Sequence, residues 1–312
     1  MKLIIVVPCY NEEMVIIETN NQLQIVLNKL INENKVTAES SILYIDDGSN
    51  DNTWNLIIKL RNDFDNIKGL KLSKNVGHQN ALLAGLLTAK IDNDIVVSID
   101  ADLQDDVNVI FKMIEEFYKG NEIVYGARNS RNFDSFFKKH TAILFYKLMC
   151  FLGAETIYNH ADYRLMSKKS LDELSNFNER NLFLRGMIPL LGFSSTTVFY
   201  DRQSRFAGVS KYPLIKMMNF ALNGITSMSV KPLRLIFLLG IIIFFISIGM
   251  FVYILLSYFT GNAIAGWSSL ILSVWFLGSL ILISVGVLGE YIGKIYNETK
   301  DRPRYIIEKY LD

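Results

Sequence analysis

The most constraining feature of this sequence is a long stretch without any charged residue. From Leu235 to Gly289 the chain contains no Asp, Glu, Lys, Arg or His. A helix needs about 20 apolar residues to cross the roughly 30 Å hydrocarbon core of a bilayer. Two segments of that length, at about 235–258 and 267–288, lie on either side of a short glycine-containing turn. The sequence therefore predicts a C-terminal transmembrane helical hairpin within residues 231–290.

Basic residues flank the predicted hairpin on both sides. Lys and Arg stand at positions 231 and 234 before it, and at 294, 300, 302 and 304 after it. Because cytoplasmic loops of membrane proteins carry an excess of Lys and Arg, we expect both ends to face the cytoplasm. This predicts a multi-pass protein of the cytoplasmic (inner) membrane, with residues 1–230 and a tail of residues 291–312 in the cytosol. Small residues such as Gly278 and Gly286 are of the type that packs membrane helices together. Formation of a homo-oligomer through these helices is therefore an open question.

The overall charge and the cysteines exclude several classes of protein. Lys and Arg number 32 against 31 Asp and Glu, which gives a formal net charge of +1. Nucleic-acid binding normally depends on a basic excess that neutralises phosphates, so we expect no nucleic-acid partner. Cys9 and Cys150 are too few for a disulfide framework and do not have the spacing of a zinc site.

The N-terminal part of the chain, up to Tyr125, alternates between short apolar runs and longer helical patterns. The runs predict strands at 3–7, 41–45, 69–72, 95–99 and 122–125. The patterns between them predict helices at 13–32, 52–62, 79–89 and 107–118. This alternation is typical of βαβ units, which build an α/β domain around a mostly parallel sheet. The first run is also too short for the apolar region of a signal peptide.

Two later segments are apolar with intermittent lysines. Residues 136–152 and 212–228 are rich in Phe, Leu, Met and Ile. Each fits either a core helix or an interfacial helix that lies on the bilayer. The position of 212–228, directly before the predicted hairpin, favours the membrane interface for that segment.

Polar residues cluster at the predicted carboxyl ends of four strands. The clusters are Pro8-Cys9-Tyr10-Asn11-Glu12, Asp46-Asp47-Gly48-Ser49, Asn75-Val76-Gly77 and Asp100-Ala101-Asp102. Parallel α/β sheets bind ligands beyond this edge, so the four clusters predict one site. The sequence has no G-x-G-x-x-G after the first strand and no G-x-x-x-x-G-K-[ST]. These absences argue against a dinucleotide enzyme and a P-loop NTPase.

The carboxylates in these clusters suggest different roles. Asp100 and Asp102 follow a buried strand directly, where two carboxylates repel each other unless a cation joins them. Hard oxygen ligands suit Mg²⁺ or Mn²⁺, so this pair predicts a metal-bridged diphosphate. We expect Asp47 to accept hydrogen bonds from a base or ribose. We expect Asp105 or Asp106 to cap the next helix.

Basic residues form two further groups. Arg128, Arg131 and Lys138 follow the fifth predicted strand, where Lys138 equally fits a solvated surface. Arg205 and Lys211 stand on either side of a glycine before the predicted hairpin. A glycine-containing loop with Arg and Lys is suited to fold over phosphates.

Taken in order, these residues resemble a known family. The four clusters, with Leu103-Gln104 continuing the last, are followed by Gly126-Ala127-Arg128 and Arg205-Phe206-Ala207-Gly208-Val209-Ser210-Lys211. Together they look like the inverting family-2 glycosyltransferases of GT-A fold. More narrowly, they resemble the polyprenyl-phosphate sugar synthases, the group of dolichol-phosphate mannose synthases and bacterial undecaprenyl-phosphate glucosyltransferases. The resemblance runs from Leu3 to the predicted hairpin.

The resemblance implies a role for each motif. It implies nucleotide-sugar binding by Pro8, Tyr10, Asn11, Glu12, Asp47, Asp100, Ala101, Arg205 and Lys211. It implies that Mg²⁺ or Mn²⁺ is held by Asp100, Asp102 and Gln104. It implies that the lipid phosphate is bound by Arg128, Arg131 and Lys138. Asp162 matches the position proposed as catalytic base in the family, and the implied catalytic set is Asp162, Asp102 and Arg128.

The activity implied by the resemblance is the transfer of one sugar from a nucleotide-sugar donor to a polyprenyl phosphate, with inversion. UDP-glucose and undecaprenyl phosphate are the expected donor and acceptor. A phosphate monoester has a second pKa of about 6, so near pH 7 much of this nucleophile is already ionised. We therefore expect Asp162 to position the acceptor or to stabilise the oxocarbenium-like centre, with little need for a general base.

Other functions stay open. Within enzymes, the donor is alternatively GDP-mannose with a dolichol-like acceptor, or a formamido-arabinose or N-acetylhexosamine nucleotide. A non-catalytic membrane scaffold that binds nucleotide sugars is the alternative from another class. A small transporter is disfavoured, because the uncharged stretch lacks the polar groups that line a transport path.

Overall fold

The computed structural model describes residues 1–129, 160–201, 226, 229–259 and 266–312. The predicted segments 136–152 and 212–228 lie outside this part of the chain, except for Thr226. Their placement as core or interfacial helices stays a prediction.

Among the described residues, eight strands form one mixed sheet. They are β1 (Leu3–Cys9), β2 (Ser41–Asp46), β3 (Ile67–Leu72), β4 (Ile95–Ser98), β5 (Ile123–Arg128), β6 (His160–Ser167), β7 (Ser195–Tyr200) and β8 (Ile307–Leu311). Their order across the sheet is β7-β5-β6-β4-β1-β2-β3-β8. Strands β1 to β4 pair in parallel, whereas β6 is antiparallel to both its neighbours and β8 is antiparallel to β3. The carboxyl ends of β1 to β4 therefore lie at the same edge.

Helices cover both faces of this sheet. The described helices are α1 (Ile16–Asn32), α2 (Thr53–Asp63), α3 (His78–Ala89), α4 (Val109–Tyr118), α5 (Lys168–Leu174), α6 (Leu184–Leu190), α7 (Lys231–Phe259) and α8 (Trp267–Thr299). In β1, Leu3, Ile5 and Val7 face the core shared with α1, α2 and α4. Ile4 and Val6 face the opposite core, shared with α3, α5 and α6. Successive side chains of a strand point to opposite faces, so a wholly apolar strand feeds both cores, as the α/β prediction requires.

The two helices predicted from the uncharged stretch are present. They run from Lys231 to Phe259 and from Trp267 to Thr299, so the second continues past its predicted end at 288. Near the end of α8, Tyr291 Oη donates to the carbonyl of Ser229, just before α7 (2.6 Å). The two helices contact each other. Within the described residues, one stretch, the 24-residue segment Phe276–Thr299, meets the length and composition expected of a membrane span.

The chain after α8 returns to the sheet, and the cytosolic location of the tail at 291–312 stays a prediction. Its last residues form β8, which pairs with β3 and closes that edge of the sheet. Lys71 Nζ forms an ion pair with Glu308 (3.1 Å), and Lys68 forms one with Asp312. The C-terminal segment therefore belongs to the same sheet as the N-terminal strands.

Candidate functional site

The polar clusters that follow β1, β2 and β3 are hydrogen-bonded to one another. The amide of Asn11 donates to Ser49 Oγ (2.9 Å). The Asp47 carboxylate accepts from the amides of Val76 (2.7 Å) and Gly77 (3.1 Å). Burial raises the pKa of Asp47, against the opposing effect of these two amide hydrogen bonds. Asp47 thus holds the third cluster against the second, and its role as a nucleotide ligand stays a prediction.

Gly48 makes this close approach of two loops possible. Its φ is +64°, a conformation that residues with a Cβ rarely adopt. A Cβ at this position would lie 2.5 Å from the amide nitrogen of Asn75 and 2.5 Å from the carbonyl carbon of Lys74. A larger residue at 48 would therefore push the two clusters apart.

The residues predicted to bind the nucleotide differ in their accessibility. Pro8 and Ala101 are buried, and the carbonyl of Ala101 accepts a hydrogen bond from Thr19 Oγ1 (2.7 Å). Tyr10 is 37% exposed, so its ring is accessible at this edge. The amide of Glu12 donates to Thr53 Oγ1 at the start of α2 (2.9 Å). The structure places these residues at one edge of the sheet, and their contacts with a nucleotide stay predictions.

Asp100 and Asp102 lie just beyond β4, at the same edge. The side chain of Asp100 is one-third exposed, and its Oδ1 lies 3.5 Å from Nε2 of His78, the first residue of α3. Asp102 Oδ1 accepts a hydrogen bond from the amide of Gln104 (3.1 Å). Strand β4 therefore presents the predicted acidic pair to the region occupied by the N-terminus of α3.

The charge around Asp100 fits a divalent cation. Burial raises the pKa of Asp100 to about 6 although His78 opposes it, and the carboxylates of Asp105, Asp162 and Asp102 add to the rise. A cation would relieve this repulsion between carboxylates. Among the described residues no three or more His, Cys, Asp or Glu form a metal-binding group. Two carboxylates are what Mg²⁺ uses when substrate phosphates and water complete its coordination, so the oxygen donors present fit such an ion.

Asp162 lies at the centre of a cationic cluster. It is on β6, and its side chain is 7% exposed. Its Oδ1 accepts from Arg164 Nη2 (2.5 Å) and from Arg185 Nε (3.1 Å), and its Oδ2 accepts from Arg185 Nη2 (3.0 Å). His78 Nε2 lies 3.3 Å from the same Oδ2. His78 thus contacts both Asp100 and Asp162, and it joins the acidic pair to this cluster.

These contacts determine the ionisation of the cluster. Burial alone would raise the pKa of Asp162. Arg185, His78 and Arg164 outweigh burial and hold the pKa of that carboxyl well below its usual range. Burial opposes protonation of His78, but Asp100 and Asp162 raise the pKa of its imidazole to about 9. Asp162 is therefore ionised at neutral pH and already bound to cations, which disfavours a role as proton acceptor.

Arg128 is engaged with a buried carboxylate. Its Nε and Nη2 donate to Asp105 Oδ1 (3.0 and 2.8 Å), and Tyr200 Oη donates to the same oxygen (2.7 Å). Of the two carboxylates expected to cap the next helix, Asp105 does not do so, because its carboxylate is buried in this ion pair. Asp106 instead accepts from the amide of Asn108 before α4 (2.9 Å). The role of Arg128 toward a lipid phosphate stays a prediction.

Four predicted site residues lie outside the described part of the chain, namely Arg131, Lys138, Arg205 and Lys211. Conversely, the structure adds His78, Arg164 and Arg185, to which the sequence motifs assigned no role. His78 directly follows the Asn75-Val76-Gly77 cluster, and this position next to a predicted site motif could have identified it as a site residue. No signal in the local sequence connects Arg185 with Asp162, because the two are distant along the chain and meet only through the fold.

Known proteins resemble this chain over nearly its whole length. Residues 4–175 match the family model described as glycosyl transferase family 2. The glycosyltransferase YkoT of Bacillus subtilis is 55% identical over 98% of this chain and 91% of its own length. The SfII prophage-derived bactoprenol glucosyl transferase of Shigella flexneri is 39% identical over 99% of this chain and 98% of its own. A solved structure of the mannosyltransferase PcManGT from Pyrobaculum calidifontis, at 15% identity, covers 72% of this chain and 70% of its own with a TM-score of 0.48. The chain belongs to glycosyl transferase family 2, and its α/β domain has a GT-A-like fold.

Proposed function

We propose that this glycosyltransferase transfers one sugar from a nucleotide-sugar donor to a membrane polyprenyl phosphate, with inversion at the anomeric carbon. UDP-glucose is the proposed donor and undecaprenyl phosphate the proposed acceptor. The full-length similarity to a bactoprenol glucosyl transferase supports this choice. The observation that carries the proposal is the contact of His78 with both Asp100 and Asp162, which brings an acidic pair and a cationic cluster to one edge of the sheet.

The donor diphosphate is proposed to bind beside the acidic pair. Asp100 and Asp102 would hold Mg²⁺ or Mn²⁺, with Gln104 next to them. When bound, the ion would neutralise charge on the leaving nucleoside diphosphate. Arg205 and Lys211 are proposed to close over that diphosphate, and Tyr10 and Asp47 to contact the nucleoside.

The chemical step needs little proton transfer. An oxygen of the acceptor phosphate attacks the anomeric carbon, and the bond from that carbon to the donor diphosphate breaks. The attacking oxygen is largely ionised near pH 7, because the second pKa of a phosphate monoester is about 6. The carboxylate of Asp162 accepts hydrogen bonds from the guanidinium groups of Arg164 and Arg185. These contacts hold it in one orientation, which supports a positioning role. We propose that it fixes the groups that surround the acceptor.

The helices α7 and α8 are proposed to cross the cytoplasmic membrane as a hairpin. Phe237 of α7 is 72% exposed and Leu282 of α8 is 74% exposed, so both helices present apolar side chains outward. Such surface is stable in lipid and unfavourable in water. With both helix ends cytosolic, the α/β domain would stay beside the membrane surface, where the acceptor phosphate lies.

A donor screen tests the proposed function. The purified full-length protein, in detergent with undecaprenyl phosphate, is supplied in turn with UDP-glucose, UDP-N-acetylglucosamine or GDP-mannose, each with Mg²⁺, Mn²⁺ or EDTA. We expect a lipid product heavier by one hexose with UDP-glucose, and loss of that product in EDTA. The variant Asp102→Asn is expected to lose activity, whereas Asp172→Asn, on the exposed surface of α5, should retain it.

Each other outcome has a distinct meaning. A product with another nucleotide sugar would keep the reaction class and replace the donor. Binding of UDP-glucose without any lipid product would favour the scaffold alternative. Full activity in EDTA would exclude the proposed metal dependence.

A further inference from the structure

Arg185 is held firmly beside Asp162. Its guanidinium makes two hydrogen bonds with that carboxylate, at 3.1 and 3.0 Å. Helix α6, which carries Arg185, is fixed to α3 because the amide of Leu184 donates to Gln79 Oε1 (3.0 Å). Leu184 and Ile188 are fully buried in the core next to α3. Both the backbone and the side chain of Arg185 are therefore oriented before any ligand binds.

The charges of the Asp162 cluster are unequal. Arg164 is fully buried, and its Nε and Nη1 have no hydrogen-bond partner within the described residues. A buried guanidinium without enough partners depends strongly on its nearest carboxylate, which here is Asp162. The same carboxylate also receives Arg185, whose side chain is 30% exposed. One carboxylate thus serves two guanidinium groups, and Arg185 carries the accessible one.

An inverting transfer requires two places for anions. The attacking oxygen and the leaving diphosphate lie on opposite sides of the anomeric carbon, so their charges need separate stabilisation. The acidic pair Asp100 and Asp102 repels an anion unless a cation is bound. The cluster around Arg185 attracts an anion without one. His78 contacts both Asp100 and Asp162, which puts the two places next to each other.

We propose, resting on the proposed function, that Arg185 binds the phosphate of the polyprenyl acceptor, with Asp162 as the residue that positions its guanidinium. A guanidinium is planar and matches phosphate oxygens with paired N–H donors. In the transfer, the phosphate oxygen forms the new bond to the anomeric carbon. The bond from that carbon to the donor oxygen breaks, and its electron pair leaves with the nucleoside diphosphate. Arg185 keeps its protons throughout.

Arg128 is less suited to this task in the described structure. Its guanidinium binds Asp105, a carboxylate that also accepts from Tyr200 and is 2% exposed. Asp162 is instead shared by the guanidinium groups of Arg164 and Arg185, and Arg185 is the more exposed of the two.

Measurements of ligand binding test this inference independently of the proposed reaction. The full-length protein in detergent is titrated with farnesyl phosphate, with farnesol and with UDP. We expect farnesyl phosphate to bind and farnesol to bind at least about tenfold more weakly, because only the first carries the anion. Arg185→Gln should weaken farnesyl phosphate binding about tenfold or more and leave UDP affinity within about twofold. Unchanged UDP binding also shows that the variant is folded.

Two further variants complete the experiment. Arg185→Lys keeps the charge beside Asp162 and loses the fork of donors, so we expect an intermediate loss of farnesyl phosphate affinity and a raised acceptor KM with the donor KM unchanged. Lys59→Gln removes a charge from the exposed side of α2, on the opposite face of the sheet, and should change neither affinity. If Arg185→Gln does not fold, Arg185→Lys still decides, because unchanged acceptor affinity and KM in that variant would overturn the inference.

The outcomes distinguish the two proposals. Arg185-dependent binding of farnesyl phosphate without any turnover would support this inference and reject the proposed reaction. Turnover with unchanged acceptor affinity in Arg185→Gln and Arg185→Lys would support the reaction and reject the inference. Loss of UDP affinity in Arg185→Lys would assign Arg185 to the donor diphosphate and overturn the inference. Equal binding of farnesyl phosphate and farnesol by the wild type would overturn it as well.

Discussion

The carboxylate of Asp162 lies between two guanidinium groups and an imidazole. These neighbours keep its pKa below the ordinary value of 3.8 despite burial. The sign follows from linkage: a carboxyl group with a lowered pKa in the folded state stabilises the fold above its unfolded pKa. That contribution is lost as the pH falls through the folded pKa. At neutral pH, Asp162 is a fixed negative charge that holds cations.

Asp162→Asn is predicted to lower kcat about 100-fold, because small displacements of positioning groups have effects of this size. The lost activity should not return as the pH rises from 6 to 9, since neither Asp162 nor the asparagine that replaces it accepts a proton in that range. The variant should also unfold more easily, by about 3–5 kcal/mol, because Arg164 loses its buried counterion. Full pH–rate profiles and chemical denaturation of both proteins measure these effects.

The control for this prediction is Asp172→Asn. Asp172 is half-exposed and pairs with Lys90 (3.1 Å), a surface contact worth at most about 1 kcal/mol. If the activity lost in Asp162→Asn returned as the pH rises, Asp162 would be acting as a general base and the positioning role would be rejected.

Gly48 has a positive φ, which favours glycine, and it also lies close to the backbone of Lys74 and Asn75. Gly48→Ala is predicted to reduce UDP affinity and the melting temperature, because its Cβ would overlap the backbone of Asn75 and Lys74. Isothermal titration and thermal unfolding measure the two effects. Gly120→Ala is the matched control, because Gly120 also has a positive φ (+98°) but no atom within 4 Å of its missing Cβ.

The control separates strain from overlap. Both alanines incur backbone strain of order 1–3 kcal/mol, whereas only the one at 48 displaces a loop of the site. Equal UDP affinity in the two variants would show that the contact between the clusters does not shape the nucleotide site.

At the level of elements, β8 protects an edge of the sheet. Without it, the backbone groups of β3 would be exposed to pairing with other chains. β8 also covers Gly69 with Leu311, since a Cβ at that glycine would approach the leucine side chain at 3.2 Å. The last strand thus completes a surface that the N-terminal strands leave open.

Deletion of residues 307–312 is predicted to lower the melting temperature of the α/β domain and to promote aggregation. Thermal unfolding and size-exclusion chromatography in detergent measure these changes. Glu308→Gln removes just the exposed ion pair with Lys71 and should change stability by less than about 1 kcal/mol. A truncated protein as stable and monodisperse as the full chain would show that β8 adds nothing to the fold.

For the whole molecule, the arrangement in the membrane is the main proposal to test. Asn262→Cys, between α7 and α8 along the chain, is predicted to react from outside intact cells with a membrane-impermeant maleimide. A cysteine in place of Lys300, just after α8, should react only after the membrane is opened. Labelling of both positions from the same side would exclude a hairpin that crosses the bilayer.

Local sequence was sufficient for the first half of the α/β domain. Helices α1 to α4 and strands β1 to β5 lie within a few residues of their predicted positions, because apolar runs and helical periodicity report burial directly. Strand β6 was missed, since Asp162 and Arg164 interrupt its apolar pattern. Strand β8 was missed because its side chains are mostly exposed at an edge.

By itself, the sequence determined strands β1 to β5, helices α1 to α4 and the stretch that lacks charge, since these depend on neighbours along the chain. It also placed Asp47, Asp100 and Asp102 at one edge, because parallel strands align their carboxyl ends. Only the tertiary structure decided that Asp162 meets Arg185, that His78 joins it to Asp100, and that the C-terminus returns to β3. Those contacts link positions far apart along the chain, and their electrostatics depend on distances and burial that no local pattern encodes.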